Sequence, residues 1–133
     1  IQCRADLVTL LHGHAWPKPE ALRSSYVITG HGHYKIDLKD NAGLKLLEPV
    51  WLIGPLDKRK YILGRGLELK PSTKEATLII LPAFNRIVGG ASVNRAWGTR
   101  KNPLIKYLIE ERAKLYLTDG TYLTTLSKIR EKG

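Results

Sequence analysis

A chain of 133 residues is long enough for one domain with a real core and too short for two. Hydrophobic residues at 43% and charged residues at 26% are ordinary globular values, which exclude a wholly disordered chain. The 22 Lys and Arg against 12 Asp and Glu leave a net +10, which favours polyanionic partners, and the single Cys3 excludes both an internal disulfide and a cysteine-rich zinc cluster.

The chain opens on IleGlnCys and contains no methionine, so loss of an N-terminal piece is expected. Cys3 reads as a small, semi-buried hydrophobe. Asp6 to Leu11 reads as a buried strand that delivers His12 to its C-terminal edge. TrpPro opens a loop with a short helix, and TyrValIleThr from Tyr26 is a second strand running into GlyHisGlyHis. TyrLysIleAspLeuLysAsp from Tyr34 alternates as a half-exposed strand, AspAsnAlaGly is a turn, and ValTrpLeuIle from Val50 continues the sheet.

Asp57 to Lys60 reads as a charged, exposed hairpin or loop, and Lys70 to Glu75 as another polar connection. Thr77 to Leu81 is a strand that breaks at Pro82 into a loop ending in GlyGly. Leu104 to Leu115 places apolar residues at helical spacing and suits a short amphipathic helix. The chain then closes on a hairpin around Asp119-Gly120. The fold class is α/β with a mixed sheet. No apolar run approaches the roughly 20 residues that span a bilayer, and no signal peptide is read, so a cytoplasmic location without membrane contact is expected.

All four histidines lie in His12-Gly13-His14 and Gly30-His31-Gly32-His33, each pair just beyond a strand. Strand ends share a crevice, glycine lets the backbone approach a bound ion, and imidazole suits zinc, manganese or iron. Two strands ending in His-Gly-His and Gly-His-x-His, followed by LeuProAlaPheAsn and GlyGly, resemble the C-terminal half of calcineurin-like metallophosphoesterases. Among these they are most similar to the ligase-associated phosphoesterases. The resemblance runs from about Leu7 to Leu126.

It implies a β-sandwich with flanking helices, of which residues 1–133 form a single truncated domain. Two metals (Mn, Fe or Zn) would serve phosphoester hydrolysis, with His12 and His31 as ligands of one metal, His33 of the other, and His14 on the substrate side. The family's aspartate-bearing N-terminal motifs are absent from this sequence, so two metals are expected only if an N-terminal half supplies them; otherwise His12, His31 and His33 are read as vestiges of an ancestral site and no cofactor is expected. Half of a sandwich would expose an apolar sheet face needing cover from a neighbouring protein or its own N-terminal part.

Three basic clusters point to RNA. They are Lys58, Arg59 and Lys60; Arg95, Trp97, Arg100 and Lys101; and the tail with Lys128, Arg130 and Lys132. The primary expectation is a non-catalytic RNA-binding protein on a truncated metallophosphoesterase fold, bound to rRNA in a large assembly such as an archaeal-type ribosome. The alternative is the C-terminal part of an active metal-dependent phosphodiesterase or nuclease.

Overall fold

The computed structural model describes residues 2–3, 8–68, 75–85, 87, 89–94 and 102–131. Among these residues, eight strands make one mixed open sheet, with a few short helices packed against one face. The strands are β1 (Gln2–Cys3), β2 (Val8–Leu11), β3 (Tyr26–Thr29), β4 (Lys35–Lys39), β5 (Lys45–Pro55), β6 (Thr77–Ile80), β7 (Lys114–Leu117) and β8 (Tyr122–Thr125). Their order is β1-β2-β3-β6-β5-β7-β8, with β4 paired to the first half of β5. The expectations at Asp6, from Lys70 to Lys74, at Arg95, Trp97, Arg100 and Lys101, and at Lys132 lie outside the described residues.

Strands β2, β3 and β6 run parallel at the middle of the sheet. Each is a four-residue run rich in Val, Ile and Thr, side chains that fit a pleated surface. Strand β5 is long enough to serve two partners in turn, pairing with β4 through Lys45 to Pro49 and with β6 through Leu52 to Pro55. Its alternation buries Val50 and Leu52 and leaves Trp51 and Ile53 half-exposed.

That alternation divides the sheet into two unlike faces. Val27, Leu78, Ile80, Leu52 and Leu115 are buried on one side in a core shared with Tyr61, Ile62, Leu104, Tyr107 and Leu126. On the other side the register lines up Leu10, Ile28, Ile79 and Ile53 across four strands, and Trp51, Tyr116 and Tyr122 across three. These residues lie outside the core cluster, and Leu10 and Tyr122 are 44% and 51% exposed. The second face is thus apolar and only half covered.

Two expected elements are corrected. Residues 58–60 open a helix in place of the expected hairpin or loop: Lys58–Gly64 is α1, capped by the Asp57 side chain, which accepts from the Lys60 N–H at 3.0 Å. Its inward stripe of Lys58, Tyr61 and Ile62 is masked in the sequence by the LysArgLys run. The helix expected over Leu104 to Leu115 is a 3₁₀ turn at Pro103–Tyr107, and Lys114 already opens β7. Leu108 turns to an extended backbone and bridges Leu56, while the Ile109 N–H donates to the Pro55 carbonyl at 3.0 Å. Sheet contacts thus take the backbone groups a helix would have used. A terminal helix, α2 (Leu126–Glu131), follows β8 directly.

Candidate metal centre

Strands β2 and β3 are parallel and in register to their last residues, with Leu11 opposite Thr29. Their ends are therefore level, and the two histidine segments leave the sheet side by side. The Gly30 N–H donates to the His12 carbonyl at 3.2 Å, continuing the ladder one step beyond the strands. Gly13 then turns with φ of 106°, and a Cβ there would collide with the Thr29 hydroxyl and lie 2.6 Å from the Gly30 carbonyl oxygen. Only glycine lets the first histidine loop lie so close to the second.

His31 and His33 both take left-handed backbone, with φ of 69° and 48°. Such a conformation costs a non-glycine residue on the order of 1–2 kcal/mol. Between them, Gly32 presses on the Tyr34 ring, which itself is wholly buried. Two strained histidines flanking a glycine fixed by the core mark a loop whose shape is imposed by its surroundings.

The imidazoles converge. Ring centroids of His12 and His31 are 4.9 Å apart, His12 and His14 5.0 Å, His14 and His31 6.0 Å, and His31 and His33 6.4 Å. His12 Nε2 and His31 Nδ1 approach to 3.1 Å, a hydrogen bond whose direction depends on the tautomers. The same spacing suits two ligands of one ion: nitrogens 3.1 Å apart, each at about 2.0–2.1 Å from a metal, subtend roughly 95–100°. Among the described residues, no group of three or more His, Cys, Asp and Glu is gathered as a complete metal site. The histidines make one wall, and among the described residues no Asp or Glu joins them in such a group.

Asn102 holds this wall together and was missed in the sequence. It is fully buried, and its Nδ2 donates to Thr29 Oγ1 and to the Gly30 carbonyl, both at 3.2 Å. Its Oδ1 accepts from the Leu104 N–H at 3.1 Å, capping the 3₁₀ turn. The Asn-Pro pair at 102–103 is a cap signal that was available, but its reach to the histidine loops is a property of the fold.

No protein-family model, curated protein or solved structure matches the chain.

The expected RNA-binding residues that are described lie on two helices, α1 and α2. Arg59 and Lys60 are exposed on α1, whereas Lys58 turns inward and is 7% exposed, with burial lowering its ammonium pKa. On α2, Lys128 is exposed and Arg130 pairs with Glu110. Arg95, Trp97, Arg100 and Lys101 lie outside the described residues.

Proposed function

We propose that the chain carries the imidazole wall of a divalent-metal centre that hydrolyses phosphoesters, the fold being one layer of a metallophosphoesterase-like β-sandwich. The observation that carries this reading is the 3.1 Å approach of His12 Nε2 and His31 Nδ1. Strain supports it, because two histidines held in left-handed backbone are costly to keep without a role. The half-covered apolar face supports the sandwich, since a second sheet packed about 10 Å away would bury the row from Leu10 to Ile53.

In this reading His12 and His31 hold one ion, His33 stands toward a second, and His14, exposed at the rim, meets a phosphoryl oxygen. Carboxylates from outside the described residues complete the charge balance. A bound divalent ion would supply Lewis-acid polarisation and an activated water. Asn102 would hold the start of the second histidine loop in place whether or not the ion is present.

The test is metal uptake and turnover by the full-length protein. Calorimetric titration with Mn²⁺ and Zn²⁺ should give saturable binding that His12→Ala and His31→Ala each weaken by at least tenfold. Bis-p-nitrophenyl phosphate should be cleaved only when the ion is present. Failure to bind either ion would overturn the proposal.

The reading of a non-catalytic RNA-binding protein is favoured by a different observation, the net charge of +10 with Arg59, Lys60 and Lys128 exposed. It predicts salt-sensitive RNA binding that persists in chelator with no phosphodiester turnover.

A further inference from the structure

Trp16 lies two residues beyond His14, so their Cα atoms are at most about 7 Å apart. Its indole carries two cations. The Arg65 guanidinium carbon is 4.2 Å from the ring centroid, and Lys106 Nζ is 4.9 Å from the same ring and 5.0 Å from that of Tyr107. They come from separate elements, Arg65 from the C-terminal cap of α1 and Lys106 from the last turn of the 3₁₀ segment Pro103–Tyr107. Both are exposed, and no carboxylate among the described residues is ion-paired with either.

Two like charges on one ring repel, and the ring's negative face is what offsets that repulsion. The platform is fixed from beneath. Tyr61 and Tyr107 flank the indole with centroids 6.0 and 5.9 Å away, and the Tyr61 hydroxyl donates to the Pro17 carbonyl at 3.3 Å. Burial pushes the Tyr61 phenol up, while the adjacent Arg65 pulls it the other way through charge and a hydrogen bond. Trp16 is also one wall of a cleft of about 550 Å³ lined by Leu10, Leu11 and Pro17 together with Lys18 and Glu20. Arg59 and Lys60 extend the positive charge along α1.

We propose that Arg65 and Lys106, seated on Trp16 beside the histidine cluster, grip backbone phosphates of a nucleic-acid strand. The proposal rests on the phosphoesterase reading and names its substrate class as polynucleotide. Unneutralised cations answer the phosphates, and the apolar cleft on the same indole answers a base and its sugar. An acidic peptide would use the cations and leave the cleft unused.

The experiment is fluorescence anisotropy of the full-length protein with labelled single-stranded DNA and RNA oligonucleotides in EDTA, so that metal occupancy plays no part. Wild type should bind with log Kd linear in log salt. The Arg65→Ala/Lys106→Ala double variant should lose about tenfold or more in affinity, and its salt slope should fall by roughly 1.4, the value for two phosphate contacts on a single strand. Arg65→Lys should keep the wild-type slope, separating charge from folding. Binding by DNA, RNA or both supports the grip. An unchanged slope in the double variant, no binding by wild type, or equal competition from polyglutamate would overturn it.

Wild type that takes up neither Mn²⁺ nor Zn²⁺ in the titration, yet shows an Arg65-dependent slope in EDTA, would overturn the hydrolytic reading and leave the grip standing.

Discussion

Asn102 acts at the scale of single atoms, spending both amide donors on the second histidine loop. Asn102→Ala would leave the Thr29 hydroxyl, the Gly30 carbonyl and the Leu104 N–H without that partner, at a cost of about 2–4 kcal/mol. Urea unfolding should register this as a lower midpoint, and metal affinity should fall with it because the loops lose their alignment. A variant with unchanged metal affinity would reduce Asn102 to a simple helix cap. Tyr34 makes a second prediction. Burial pushes its phenol up to about 12 from an ordinary 10.0. Below pH 10 both folded and unfolded chains hold the proton and the stability is fully present. Between pH 10 and 12 the unfolded chain ionises first, so stability drains away as pH rises. Tyr34→Phe should flatten that decline in urea midpoints measured across the window, and an equally steep decline would show that another group is responsible.

At the scale of elements, the loop His31-Gly32-His33 sets strain against function. His31→Gly relieves the left-handed backbone at φ of 69° but loosens the unfolded chain, so stability should change by less than about 1 kcal/mol. Metal affinity should nevertheless collapse, and parallel thermal melts and zinc titrations would detect the split. Short strands such as Tyr26–Thr29 and Thr77–Ile80 were legible because dense β-branched runs end at glycine or proline. Helix α1 was not, since LysArgLys conceals a stripe whose inward member Lys58 is itself charged. The false helix after Pro103 had correct spacing, yet spacing says nothing of β5 lying alongside to claim Leu108 and Ile109. The four histidines could be read from order alone, whereas Asn102 reaches the second histidine loop, and Arg65 and Lys106 reach Trp16, only through the fold.

For the molecule as a whole, the two sheet faces should answer mutation differently. Leu78→Ala removes a wholly buried side chain and should cost about 2–5 kcal/mol. Ile79→Ser, one residue along and half-exposed, should cost under about 1 kcal/mol in the chain by itself, while weakening attachment of whatever covers that face. Denaturant midpoints and sedimentation would separate the two effects, and equal costs would mean the outer face is already packed. The hydrogen bonds of Asn102 also set an order in time. They span 73 and 72 residues of sequence, so the second histidine loop leaves the ribosome long before the side chain that holds it exists. At roughly 5–20 residues per second the interval is about 4–15 s. A nascent chain therefore carries its second histidine loop early and cannot fix that loop's position until Asn102 has been made.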